Sequence, residues 1–136
     1  MINCFIAFLK EKNIPFDTPD RTLVRFSFEG LNYLFQYRED DDPQFIRLVL
    51  PRVEDVNGNE SDVSKRMIEI SSSIKGVKCI ITSNEVWLSA EQFMTSKDNI
   101  SQVFERMIAV LKLAYTYYAS AAVKNADHQS DDASNP

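Results

Sequence analysis

The chain carries a single imidazole, His128, within the polar stretch NADHQSDDASNP at residues 125–136. That stretch has no apolar residue larger than alanine, so the sequence predicts a disordered tail there. A Ser-His-Asp or Cys-His pair on the folded body is not expected, because its base would sit on that tail. The two thiols, Cys4 and Cys79, lie far apart in the sequence and match no structural zinc spacing. They read as small apolar core residues of a reducing compartment.

Carboxylates are more numerous. The run Glu39, Asp40, Asp41, Asp42 offers the hard oxygen ligands that calcium or magnesium takes, but nothing nearby completes a coordination shell. It reads as a solvated turn. The segment from Asp55 to Asn59 has the look of an EF-hand loop, yet Gly58 falls too early in it and Arg66 stands where the bidentate glutamate belongs. A pair such as Glu29 and Glu85 could meet in space without leaving a linear signature. Gly30, Gly58 and Gly76 are spaced too widely for a dinucleotide fingerprint, a P-loop or a nucleophile elbow. No catalytic residue, metal ligand or cofactor is therefore expected, and the chain reads as a non-enzyme.

With 15 Lys and Arg against 20 Asp and Glu in 136 residues, the net charge is -5. Such a field repels phosphate backbones and anionic lipid, which argues against nucleic-acid and membrane partners. Residues 1–9 are apolar but lack a basic region before the apolar run, and Lys10, Glu11 and Lys12 close them without a small-residue cleavage site, so they are not read as a signal peptide. Residues 107–123 are interrupted by Lys112 and several hydroxyl side chains, and their helical period fits a packed helix better than a membrane span. A cytoplasmic setting is the expectation.

The elements that must position these groups follow from hydrophobic period. Ile2, Phe5, Ile6 and Leu9 recur at helical spacing, predicting a helix over residues 1–12, with residues 16–21 a connector. Alternation of Val24, Phe26 and Phe28, and again of Tyr33, Phe35 and Tyr37, predicts a hairpin turning at Glu29-Gly30. The rings of this hairpin could suggest a base-stacking platform, but packing under helices is the preferred reading. A third strand is expected at residues 45–50, ended by Pro51. Val63, Met67, Ile70 and Ile74 predict a second helix capped by Gly76. Residues 77–82 and 86–89 predict a second hairpin, and Ile100 to Tyr118 trace a long last helix starting near Asp98. The fold class is α+β, a two-layer α/β sandwich with an antiparallel sheet of about five strands, in the order α-β-β-β-α-β-β-α. Residues 1–124 form one domain and 125–136 the tail.

That order, with a short first helix, a meander, a middle helix, a hairpin and a long last helix, resembles the YbjN-like and type III secretion chaperone-like domains over residues 1–120. The resemblance implies a non-enzymatic domain that binds other polypeptides and often pairs with itself.

The last helix carries a second apolar side, formed by Ala109, Val110, Leu113, Ala114 and Tyr117. A helix apolar nearly all round is buried on more than one side, so these five residues are candidate contacts for the first helix, for a protein partner or for a second copy. Two functions follow. One is a protein-binding domain, chaperone-like or regulatory, acting through the sheet face or the last helix and pairing as a homodimer. The alternative is a small-ligand-binding or carboxylate-based enzymatic domain with a pocket between sheet and helices, lined by Tyr33, Tyr37 or Trp87.

Overall fold

The structure, a computed structural model, describes residues 1–38, 40, 42–95 and 99–134, with side chains described as far as residue 124. Nine elements follow one another: α1 (Ile2–Glu11), β1 (Phe16–Asp20), β2 (Leu23–Phe28), β3 (Leu31–Gln36), β4 (Phe45–Asp55), α2 (Glu60–Ser73), β5 (Val77–Thr82), β6 (Glu85–Phe93) and α3 (Ile100–Ser134). The six strands form one antiparallel sheet in the order β1-β2-β3-β4-β6-β5. β6 thus inserts between β4 and β5, and α2 carries the chain across it. The α+β class stands, with six strands where about five were expected.

Residues directly opposite one another in an antiparallel ladder share a face. Val24 opposes Phe35, Phe35 opposes Leu48, Leu48 opposes Ala90 and Ala90 opposes Val77. All are buried, and all belong to one apolar cluster with Phe5, Phe8 and Leu9 of α1, Val63 and Ile70 of α2, and Phe104, Ile108 and Leu111 of α3. The three helices therefore cover a single face. Phe5 is central to the packing: its ring stacks on Phe35 at 4.1 Å and meets Phe104 and Phe26 edge-on at 4.8 and 5.3 Å. The hairpin aromatics are core, not a stacking platform.

Three boundaries differ from the sequence reading. The expected connector at residues 16–21 contains β1, which pairs Phe16 with Phe26 and Asp17 with Arg25. Pro19 is tolerated because β1 is an edge strand, where a missing N–H breaks no ladder. Second, Pro51 does not end β4. The register with β6 shifts between Leu50 and Glu54 and pairing then resumes at Glu54 and Val86, a bulge in which Arg52 takes a left-handed φ of 56°. Third, β6 runs on to Phe93 instead of stopping at residue 89. The two tight hairpin turns, Glu29-Gly30 and Ser83-Asn84, have positive φ at both central residues, the geometry that matches strand twist. α2 ends before the expected cap, and Gly76 (φ 80°) instead turns the chain into β5. The expected start of the last helix at Asp98 lies outside the described residues. So do the side chains of the expected tail, through whose 125–134 backbone α3 continues.

Candidate functional site: the uncovered face of the sheet

Among the described residues no helix covers the other face. Register alone draws a rung across all six strands, from Asp17 through Arg25, Leu34, Val49 and Ser89 to Lys78. Its ends are charged and its centre is small or apolar. Val49 is 1 % and Ser89 0 % exposed, although neither belongs to the helix-covered cluster. Beside this rung a concavity of about 750 Å³ opens, lined by Arg25, Ser27, Leu34, Pro51, Arg52 and Trp87 among others.

The rims of this surface are tied down by ion pairs. Arg25 grips Asp17 in fork geometry, with Nε to Oδ1 at 3.0 Å and Nη2 to Oδ2 at 2.5 Å. Those hydrogen bonds pull the Asp17 carboxyl below its usual range. Glu91 Oε1 receives Arg47 Nη2 at 2.8 Å, Lys78 Nζ at 2.9 Å and the Ser89 hydroxyl at 3.3 Å. Burial works against ionisation of Glu91, but its bonds to Lys78 and Arg47 outweigh that and its pKa falls. On the opposite side Glu85 joins one aromatic and one basic group: Trp87 Nε1 donates to Oε2 at 3.3 Å, and Arg52 Nε lies 3.4 Å from Oε1. The bulge aims Arg52 here, in a conformation that costs a non-glycine residue strain.

The residues singled out in the sequence are scattered. Tyr33 and Tyr37 are buried on the helix side and Trp87 lies on the uncovered face, so the three do not converge between sheet and helices, although Tyr33 and Trp87 both line the concavity of the uncovered face. Tyr37 donates to the Pro43 carbonyl at 3.1 Å; the Tyr33 hydroxyl has no partner among the described residues, and burial pushes its pKa up to about 12. Glu29 pairs with Lys112 and Glu85 with Arg52, so the two carboxylates are engaged separately. Asn59 closes the Asp55–Asn59 turn, accepting from Asn57 N and donating to Asp55 O, as a turn entering α2 should. Of the acidic run, Glu39 and Asp41 lie outside the described residues, and Asp42 accepts from the Gln44 amide. Among the described residues no three His, Cys, Asp or Glu side chains gather to hold a metal ion. The side chain of His128 lies outside the description. Cys4 is exposed, contrary to expectation, because it falls beside the Phe5, Phe8, Leu9 face of α1. Cys79 is half-buried, which raises its thiol to about 11.

On α3, Ala114 is fully buried and Val110 partly so. Ala109, Leu113 (56 % exposed) and Tyr117 (37 % exposed) remain as an outward stripe. Ala109 also lines an apolar cleft of about 380 Å³ against Phe8, Ile14 and Phe28, whose mouth is flanked by the pairs Lys12 with Glu105 and Lys112 with Glu29.

One polar cluster escaped the sequence reading. Arg66 of α2 is buried and donates to both oxygens of Glu54 at 2.7 Å, and the Tyr118 hydroxyl of α3 donates to the same carboxylate. The signal was present in the spacing: Arg66 stands three residues after Val63 and four before Ile70, on their side of the helix.

No protein-family profile matches the chain, and no curated protein matches it. Solved structures do. YbjN from E. coli, a candidate transcription regulator, superposes with a TM-score of 0.69 over 92 % of this chain and 93 % of its own, at 9 % identity. A chain of the heterodimeric ExoU–SpcU complex from the type III secretion system of Pseudomonas aeruginosa, SpcU, superposes with a TM-score of 0.63 over 85 % of this chain and 94 % of its own, at 15 % identity. No helix among the described residues is long and apolar enough to cross a membrane. The chain shares its overall fold with YbjN and with SpcU.

Proposed function

We propose that this chain is a non-enzymatic domain, chaperone-like or regulatory, that holds a segment of another polypeptide on the uncovered face of its sheet, pairs with itself, and works in the cytoplasm. The observation that carries the reading is the uncovered face: an apolar floor of Leu34, Val49 and Pro51 beside the Trp87 indole, with basic groups at its margins. Trp and Arg are the residue types that most often dominate binding energy at protein interfaces. Arg25, Arg47, Arg52 and Lys78 on this face are met by Asp17, Glu85 and Glu91, with Asp55 opposite Glu85 in the ladder, so charges of both signs rim it. A partner segment that sets apolar residues on the Trp87 side of the hollow and polar or charged ones against its rim suits it. The neighbours support a binding role, since SpcU is seen in complex with ExoU.

The α3 stripe of Ala109, Leu113 and Tyr117 is a second contact surface in this reading, with Val110 and Ala114 supporting it from beneath. The test is affinity capture from native lysate with mass spectrometry, run in parallel on the wild type and on a Trp87→Ala, Arg52→Glu variant. The variant should keep its melting temperature and lose the captured polypeptide. Equal capture by both proteins removes the uncovered face from the function.

A further inference from the structure

The cleft of about 380 Å³ beside Ala109 lies between the end of α1, residues 105–112 of α3 and the β2–β3 turn. Its wall is made of core side chains: Phe8, Ile14 and Ile108 are buried members of the apolar cluster, and Phe28 packs against them. The volume falls within the range of small-molecule sites. Ala109 brings only a methyl group to this wall, which leaves the space in front of the core open.

The charged residues lining the cleft are Lys12, Glu29, Glu105 and Lys112. They form two pairs at its mouth: Lys12 Nζ meets Glu105 Oε1 at 2.8 Å, and Lys112 meets Glu29. All four side chains are about half exposed, and pairs wetted to this degree hold each other weakly. Either can open at little cost. Glu29 reaches its place from a hairpin turn with a left-handed φ of 50°, a conformation that such turns ordinarily give to Asn, Asp or Gly.

We infer that this cleft binds a free apolar α-amino acid as its zwitterion, with the side chain between Phe8, Phe28 and Ile108 and the charged end inserted into a mouth ion pair. The polarity of the mouth decides the class. A lone carboxylate that takes Lys12 displaces Glu105, exchanging one ion pair for another, and a lone amine that takes Glu105 displaces Lys12. A zwitterion opens one pair and closes two: its ammonium donates to the glutamate, and its carboxylate accepts from the lysine. Each pair sums to zero charge, so the mouth as a whole selects neither an anion nor a cation. The rings of Phe8 and Phe28 favour an aromatic side chain, which gains ring contacts beyond its buried area. The site is separate from the uncovered face and does not rest on polypeptide binding there.

Calorimetric titration of the full chain with phenylalanine should show saturable binding by low millimolar concentration. Phenylpropanoate and phenethylamine, each lacking one charge, should bind about tenfold more weakly, and alanine, which lacks the ring, should not bind. Ala109→Leu fills the cleft and should abolish binding while far-UV dichroism and melting temperature stay as in the wild type. Should that variant fail to fold, Glu29→Gln with Glu105→Gln serves in its place: it should weaken phenylalanine about tenfold and bind phenylpropanoate no worse. The Trp87→Ala, Arg52→Glu variant should bind phenylalanine as the wild type does, whatever its effect on polypeptide capture. No binding of phenylalanine at low millimolar concentration overturns the inference. Phenylpropanoate or phenethylamine binding as tightly as phenylalanine overturns the zwitterion. Binding that survives Ala109→Leu but is lost in the Trp87→Ala, Arg52→Glu variant overturns the cleft as the site.

Discussion

The Tyr118 hydroxyl on α3 donates a 2.5 Å hydrogen bond to Glu54 Oε1 on β4, and the same carboxylate takes the Arg66 guanidinium of α2 in fork geometry. Arg66 also lies over the Tyr118 ring, 5.6 Å from its centroid. Three elements distant in sequence are thereby locked at one point, just past the bulge that reorients β4. Burial first, and Glu54 next, push the Tyr118 phenol above its ordinary range, so it remains the donor throughout the working pH range.

Removing the carboxylate leaves a buried guanidinium alone. Glu54→Ala should therefore cost about 3–5 kcal/mol, whereas Tyr118→Phe keeps the ion pair and should cost about 1.5–3 kcal/mol. Urea denaturation of both variants checks the ranking; a Glu54→Ala protein as stable as the wild type would refute the clamp.

Tyr33 presents the opposite case. Its ring stacks on Phe26 at 4.9 Å, but its hydroxyl is buried and has no partner among the described residues. Tyr33→Phe removes an unpaid desolvation and should raise stability by about 1 kcal/mol. A loss of stability in the same denaturation experiment would mean that the hydroxyl is bonded.

Phe5 touches four other rings from the centre of the core. Phe5→Ala should cost about 3–5 kcal/mol, the transfer and cavity penalty of a deleted buried ring, whereas removal of the exposed Cys4 side chain next to it should change the unfolding midpoint little.

Glu91 links pH to stability. Its pKa in the folded chain is lowered, so its contribution is fully present above the ordinary glutamate value of about 4.3 and is lost as pH falls through the lower folded value. Glu91→Gln should flatten the acid limb of a stability-against-pH curve and leave its shape above neutral pH unchanged. An unaltered acid limb would show that Lys78 and Arg47 do not hold the carboxylate.

Period was a good guide wherever a segment has one wet and one dry side. α1, β2, β3 and the stripe of α3 follow the spacing of Phe5, Val24, Phe35 and Leu111. It failed at β1, where Asp17, Thr18, Pro19 and Asp20 are all exposed and an edge strand buries too little to alternate. At β4 it failed because Pro51 reads as a terminator, whereas a bulge absorbs the proline and lets pairing resume. The uncovered face was legible only as a set of solvent-side residues. Nothing in the spacing of Arg25, Arg52 and Trp87 says that they surround one hollow.

From the sequence alone came the number of layers, the dry face of most strands and the acidic balance. Tertiary structure decided which strands are neighbours. With β6 lying between β4 and β5, residues 17, 25, 34, 49, 89 and 78 align in one rung and β5 becomes a bare edge. The physical reason is that hydrophobic period records which side of a segment avoids water, while a ladder of backbone hydrogen bonds is chemically alike for every pair of strands and leaves no mark on the side chains.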